Sequence, residues 1–292
     1  MKIGEFEIDK IYCGDANELI KKIPDKSIDL IYTDPPYLYT TGKRKNENKR
    51  LIKEGLNLVN VDNIVVFDFE KRVKELTTSG KSESQARIWA SKELNRKEIE
   101  HISNGFATTL LDEFCRVMKN IYIYIWCSKW QIQAYLDYFE NKNCNFDVLV
   151  WIKNNPAPLM HNTMANDIEY CLLFREKGSC LNGDYNTKKH YYISNTNSKD
   201  KADFEHPTIK PLEFVKNHII NSSKEGDIIL DCFSGSGTTA IACKELKRHY
   251  LCFEIDQHYT DIANDRLEGI TIQERKNIDA GQKTIFDFLD NE

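Results

Sequence analysis

The chain has 292 residues, 41% of them hydrophobic, and a formal net charge of −5, enough apolar material for one α/β core with a smaller region beside it. No apolar run approaches the length of a membrane span and no charged-then-apolar leader opens the chain, so the composition argues against membrane and secretory proteins and predicts a cytoplasmic one. Nine cysteines form no Cys-x-x-Cys pair and no Cys/His cluster of zinc spacing; Cys13, Cys127, Cys171 and Cys252 fall in apolar runs and read as small core residues, with no metal expected.

In chain order, Asp9 to Cys13 reads as a strand, Ala16 to Ile23 as a helix with Leu19, Ile20 and Ile23 on one side, and Ile28 to Tyr32 as the next strand. That strand runs into Thr33-Asp34-Pro35-Pro36-Tyr37. Each proline fixes its own φ and lacks an N–H, and Pro36 also keeps Pro35 extended, so the carbonyls of Asp34 and Pro35 are aimed rigidly. An acid, fixed carbonyls and a flat ring are the groups needed to grip an exocyclic amino group on a planar base. Asp34 and the Pro35 carbonyl accept its hydrogens, and Tyr37 stacks on the base, a contact worth roughly 1–3 kcal/mol in single-stranded nucleic-acid sites.

Next comes Lys43-Arg44-Lys45-Asn46-Glu47-Asn48-Lys49-Arg50. Net charge disfavours a nucleic-acid partner, but phosphates are met by local patches, and Lys43, Arg44, Lys45, Lys49 and Arg50 form the densest one. Val61 to Ile102 is amphipathic and charged and predicts one or two inserted helices, most clearly Ser82 to Leu94. Thr108 to Met118 reads as a core helix, and Ile121 to Cys127, Phe146 to Ile152 and Tyr170 to Phe174 as strands. Between Arg175 and Glu205 aliphatics thin out, and Asn, Tyr and Lys, including Lys188 and Lys189, take their place. Basic groups, amides and rings together suit contact with phosphates and base edges.

In the last third, Gly226 to Leu230 is an apolar strand leading through Asp231-Cys232-Phe233-Ser234-Gly235-Ser236-Gly237 into a helix, Thr238 to Leu246. This places a nucleotide against a helix N-terminus, as in the first unit of a dinucleotide-binding fold. Gly235-x-Gly237-x-x-Ala240 with Glu254 downstream also fits a nicotinamide dehydrogenase. Against that, the motif stands near the end of the chain, and no hydride-substrate residues accompany it. Tyr250 to Phe253 follows as a strand, and the N-terminal strands complete the sheet if the order is circularly permuted.

Three motifs, Asp34-Pro35-Pro36-Tyr37, His206-Pro207-Thr208-Ile209-Lys210-Pro211 and Phe233-x-Gly235-x-Gly237, occur in an order that resembles the S-adenosylmethionine-dependent DNA amino-methyltransferases of the β group. The resemblance implies a circularly permuted Rossmann-like α/β fold with a mainly parallel, doubly wound sheet. It implies a catalytic domain from 1–41, 106–175 and 204–270, an inserted basic segment at 42–105, a target-recognition region at 176–203 and a tail at 271–292. It also implies that Asp231, Phe233, Ser234, Gly235, Gly237 and Thr238 line the cofactor, that Glu254 holds the ribose and that Asp15 lies near the adenine. Thr208 and Lys210 meet the methionine carboxylate. Cys232 departs from the proline usual in the family. Asp15 has an alternative reading as a helix N-cap.

The implied reaction transfers a methyl group to adenine N6 of a base flipped out of duplex DNA. The acid at position 34 favours adenine; cytosine N4 is the alternative, and a catalytically silent DNA-binding partner subunit is another. A homodimer is a further expectation. Gln282-Lys283-Thr284-Ile285-Phe286-Asp287-Phe288-Leu289 resembles a sliding-clamp docking peptide, although a tail folded back on the core through Phe286 and Phe288 is the favoured reading.

Overall fold

The structure, a computed structural model, describes residues 1–37, 69–87, 109–156, 164–196, 203–204 and 209–279. In chain order the elements are β1 (Lys2–Ile3), β2 (Phe6–Glu7), β3 (Lys10–Cys13), α1 (Ala16–Leu19), β4 (Leu30–Thr33), α2 (Phe69–Thr78), α3 (Thr109–Val117), β5 (Tyr122–Cys127) and α4 (Ile132–Glu140). They continue with β6 (Cys144–Lys153), β7 (Ile168–Glu176), β8 (Tyr191–Ser194), α5 (Leu212–Ser222), β9 (Ile228–Asp231), α6 (Thr238–Glu245), β10 (His249–Glu254), α7 (Gln257–Leu267) and α8 (Ile272–Asp279).

Eight of these strands form one sheet in the order β3-β10-β9-β4-β5-β7-β6-β8. From β3 to β5 every pairing is parallel, β7 runs antiparallel to β5 and β6, and β8 is parallel to β6. Parallel neighbours need crossovers, which cover both faces and force continuous apolar runs. Accordingly every residue of β4, β5 and β9 is buried. β6, nearer the edge, alternates, with Leu149 and Trp151 buried and Phe146 and Val148 exposed. The permuted order expected from the sequence is the observed one: β9 and β10, late in the chain, lie between β3 and β4.

Local differences have local causes. The first helix is α-helical only through Leu19 and tightens to a 3-10 turn at Ile20–Lys22, because Pro24 pushes Ile23 into extended backbone. The strand read from Ile28 begins at Leu30; Ile28 makes only an isolated bridge to Met118, and the Asp29 carboxylate takes the Ile228 N–H at 3.0 Å. Cys13 and Cys180 are exposed, which corrects the reading of Cys13 as core: β3 is an edge strand and Cys13 its last residue. Helices α4, α5 and α7 were not among the elements expected, although Ile132, Tyr135, Leu136 and Phe139 of α4 recur at helical spacing.

The chain divides into two compact units, Met1–Pro35 with Thr109–Glu292, and Pro36–Thr108. In the second, Val73 and Leu76 of α2 pack with Ala86 of a short helix at 83–87; the rest of the helix expected from Ser82 to Leu94 lies outside the described residues. The domain boundaries read from the sequence at 41, 105, 175 and 203 remain expectations. Among the described residues no helix is long and apolar enough to cross a membrane.

Under the sheet centre, α5 presents His218 between Phe214 (centroids 4.1 Å) and Tyr124, on which it stacks at 4.6 Å. Its Nδ1 lies 3.2 Å from the Tyr32 hydroxyl, which accepts the Trp126 Nε1–H at 3.1 Å. Burial pulls the imidazole pKa from 6.5 down to about 3. The unfolded chain therefore binds a proton below pH 6.5 that the folded chain refuses, so stability is lost as pH falls from 6.5 toward 3, by at most about 1.4 kcal/mol per pH unit. We expect denaturant titrations of His218→Phe to show a shallower fall in stability between pH 6.5 and 5 than the wild-type chain; an unchanged slope would refute this assignment.

Candidate active site

The sheet changes winding direction at β9: the chain leaves through α6 to β10 on one side, while β4 flanks it on the other. Loops at the carboxyl ends of such neighbours diverge and leave a crevice. The turn after β9 and the segment after β4, 198 residues apart in sequence, are joined there by a 3.0 Å hydrogen bond from Thr33 Oγ1 to Asp231 Oδ1.

Asp231 organises the turn. Its Oδ1 also accepts the Phe233 N–H at 3.0 Å, and its Oδ2 accepts the Thr239 hydroxyl at 2.6 Å. Burial pushes the carboxyl up to about 7 against the opposing pull of the Thr239, Phe233 and Thr33 donors. The chain then passes through Gly235 (φ 48°) and Gly237 (φ 77°), left-handed conformations that favour glycine. A Cβ on Gly237 would stand 3.0 Å from the Ala263 side chain and 3.4 Å from Ile11 Cδ1, so this turn also needs glycine for packing. Phe233 is half-buried, and the Ser234 hydroxyl is buried without a protein partner.

Arg266 of α7 locks the turn from behind, donating to Ser236 O at 3.0 Å, Ser236 Oγ at 3.2 Å and Thr238 Oγ1 at 2.9 Å. It was not legible in advance, since α7 itself was not. The Thr238 hydroxyl thus already serves the protein.

Glu254 closes β10 on the next strand. It is 8% exposed, its Oε2 accepts the Gly235 N–H at 2.8 Å and its Oε1 the Asp256 N–H at 3.1 Å. Burial raises its pKa despite these donors. A carboxylate offers about four acceptor positions, so one bond on each oxygen leaves capacity for two ligand hydroxyls. Asp15 follows β3, and its neighbour Gly14 donates to the Glu254 carbonyl at 2.8 Å. Asp15 caps α1 through the Asn17 N–H at 2.8 Å; the cap and a position beside Glu254 coexist. An unpartnered hydroxyl, glycine-enforced clearance and a carboxylate with spare acceptors fit the nucleoside and amino-acid parts of S-adenosylmethionine.

At the end of β4, Pro35 is buried and Asp34 partly so. Pro36 and Tyr37 open the second unit and are half-buried there. The Asp34 carboxylate pairs with the ammonium of Lys210. Lys210 is 6% exposed, reaches Glu169 at 3.3 Å and lies 4.9 Å from the Trp126 ring centroid. Glu169 also binds Lys153 at 2.5 Å. Lys210, read as a charge for the methionine carboxylate, is thus already met by two protein carboxylates, because a buried ammonium requires partners. Burial disfavours its charge, but Asp34 and Glu169 outweigh this and hold its pKa above the ordinary lysine value. Glu169 and Lys153 were missed; the available signal was one acid inside an otherwise apolar strand, Ile168-Glu169-Tyr170-Cys171-Leu172.

Thr208 lies outside the described residues, as do Lys43, Arg44, Lys45, Lys49 and Arg50. Lys188 is exposed, and Lys189 lies 5.6 Å from the ring centroid of the 82% exposed Tyr185. Their segment is pinned to α5: Asn221 accepts the Thr187 hydroxyl at 2.7 Å and donates to Thr187 O at 2.8 Å. Part of the region read as a polar loop is strand β8. An open cavity of about 270 Å³ beside it is lined by Asn186, Thr187, Lys189, Tyr191 and Tyr192 among others. Among the described residues no group of His, Cys, Asp and Glu could hold a metal ion.

Comparison with known proteins agrees with this geometry. Residues 28–265 match the family model described as DNA methylase, an N6/N4 methyltransferase family. The Type II methyltransferase M.HinfI of Haemophilus influenzae is 28% identical over 92% of this chain and 70% of its own length. Type II methyltransferase M2.DpnII of Streptococcus pneumoniae is 26% identical over 88% of both chains. Among solved structures, M1.HpyAVI superposes with a TM-score of 0.56 at 23% identity, over 88% of this chain and 98% of that one. PvuII DNA methyltransferase, cytosine-N4-specific, gives 0.54 at 14% identity, over 89% and 92%; at such identities the likeness is one of fold. The family match over most of the chain, laid on a sheet whose switch point joins Asp231 to Thr33 beside Asp34, makes this protein a member of the DNA methylase family of S-adenosylmethionine-dependent amino-methyltransferases.

Proposed function

We propose that the protein methylates the N6 amino group of adenine in duplex DNA at a specific sequence, acting in the cytoplasm. The carrying observation is that Asp34 and the Pro35 carbonyl stand at the end of β4, tied through Thr33 to the glycine turn. Adenine rather than cytosine is supported by the acid at position 34. When bound, S-adenosylmethionine supplies a methyl group already activated as a sulfonium, so the chain's task is alignment rather than covalent catalysis.

Asp34 and the Pro35 carbonyl accept the two amino hydrogens, which directs the nitrogen lone pair outward and favours the charge that develops on nitrogen. The excess proton leaves to water. Because an amino group within a duplex faces its pairing partner, the base must leave the stack, at a cost of a few kcal/mol; stacking that offsets part of it is the role the motif assigns to Tyr37. Gly235, Gly237, Phe233 and Ser234 shape the cofactor turn, Glu254 takes the ribose hydroxyls, and Asp15 adjoins the adenine. Asp231 and Thr238 act from behind that surface, holding the turn. Thr208 is assigned to the methionine carboxylate by its motif.

For the DNA, Lys188 and Lys189 carry the recognition segment, and the 43–50 patch supplies further phosphate contacts. A second copy of the chain and a sliding clamp held by Gln282 to Leu289 are the additional partners this reading entertains; the tail lies outside the described residues. Deleting Gln282 to Glu292 separates the tail readings, since loss of stability without loss of clamp binding removes the clamp.

The deciding assay incubates the protein with methyl-labelled S-adenosylmethionine and mixed-sequence duplex DNA, followed by nucleoside mass spectrometry. N6-methyladenine is expected; N4-methylcytosine would overturn the base, and no labelled nucleoside despite cofactor binding would favour a silent subunit. Asp34→Ala should lose at least roughly 10²- to 10³-fold in transfer rate, the scale of a lost transition-state contact, with cofactor affinity near wild type by calorimetry. Gly235→Val places a β-branched side chain at positive φ, and should abolish cofactor binding in the same titration.

A further inference from the structure

Among the described residues, Asp34 ends a relay of partly buried charges whose other members the alignment chemistry does not use. Lys153 from β6, Glu169 from β7, Lys210 before α5 and Asp34 after β4 alternate in sign, and their side chains are 13%, 20%, 7% and 25% exposed. Glu169 stands on the same face of β7 as Cys171 and Leu173, which are fully or almost fully buried, where an apolar residue is the default. Replacing a buried ion pair with apolar side chains is often neutral or stabilising, so stability alone does not explain the relay.

Its effect on Asp34 does. The amino nitrogen becomes positive as it takes the methyl group, and Asp34 favours that change through its negative charge. An ammonium paired with Asp34 opposes it, since an opposite charge a few ångströms away cancels most of the field. Glu169, ion-paired with that ammonium at 3.3 Å, offsets part of its field, and Lys153, farther from Asp34 than either, takes back less of it. We propose that Glu169 is a positioning residue for methyl transfer: by offsetting the charge of Lys210 it strengthens the pull of the Asp34 carboxylate on the amino group, while Lys153 holds Glu169 in place. This inference rests on the reading of Asp34 given above.

The test uses the full chain with saturating S-adenosylmethionine and duplex DNA, and measures kcat, KM and cofactor affinity. Glu169→Gln keeps shape and removes charge; kcat should fall about tenfold or more while cofactor affinity stays within about threefold. Glu169→Asp should recover most of the loss. Adding Lys210→Met to Glu169→Gln removes the ammonium that Glu169 offsets and should raise kcat per folded site above that of Glu169→Gln alone; a Glu169 that only supports folding would leave kcat per folded site at the wild-type value in Glu169→Gln. Counting folded sites by cofactor titration keeps the comparison valid if Glu169→Gln folds poorly, since Lys153 loses its partner in both variants. Wild-type kcat in Glu169→Gln, or a double variant slower than the single, would overturn the proposal. An active Asp34→Ala would instead sink the functional reading itself, whereas an inactive Asp34→Ala beside a fully active Glu169→Gln would sink only this inference.

Discussion

The Asp231 carboxylate is the constraint on which the site depends. Its two oxygens reach Thr33 at the end of β4, the Phe233 amide in the glycine turn and Thr239 in the first turn of α6. One buried group therefore sets the distance between the segment that presents Asp34 and the glycine turn after β9. A buried acid with three donors forms a small network whose members polarise one another, and such networks rigidify their surroundings when every member is satisfied. Its place at the switch point of the sheet puts that rigidity between the two loops at the carboxyl ends of β4 and β9.

Around this tie the protein uses two kinds of precision. The turn is held by the backbone: left-handed glycines, the Gly235 N–H on Glu254 and the Arg266 clamp on Ser236 and Thr238. The segment after β4 is held by proline rigidity on one side and a charge relay on the other. Proline fixes carbonyl directions at no electrostatic cost, while the relay adjusts how strongly the neighbouring carboxylate can act. The two meet at Asp34, whose backbone is directed and whose side chain is balanced. Arginine at position 266 clamps the turn through one nitrogen, Nη1, which reaches three acceptors, whereas the compact ammonium of Lys210 sits between two carboxylates near the Trp126 ring.

The segment proposed to contact DNA follows different rules. The segment holding Lys188 and Lys189 is anchored to α5 through Asn221 but keeps its basic and aromatic side chains outward. An anchored backbone with exposed tips suits sequence reading, since phosphate and base contacts need register without a dry core. Strand β8 adds to that register by extending the sheet into a segment of polar composition.

Much of this was legible in the linear chain. The runs at 28–32, 121–127 and 228–230 are so apolar that they could only be covered strands; the Asp34 prolines and the Gly235 and Gly237 turn carry their backbone geometry in their residue types, and the motif order announced the permuted sheet. Those features depend on local stereochemistry and hydrophobicity, which the sequence determines by itself. Partnership was decided by the tertiary structure alone. Nothing near Lys210 in the chain marks Asp34 or Glu169 as its counter-ions, nothing near Asp231 marks Thr33, and Arg266 carries no sign of its place behind the glycines. Charge compensation and hydrogen bonding act over a few ångströms in space, and strand order, not sequence distance, brought those groups within that range.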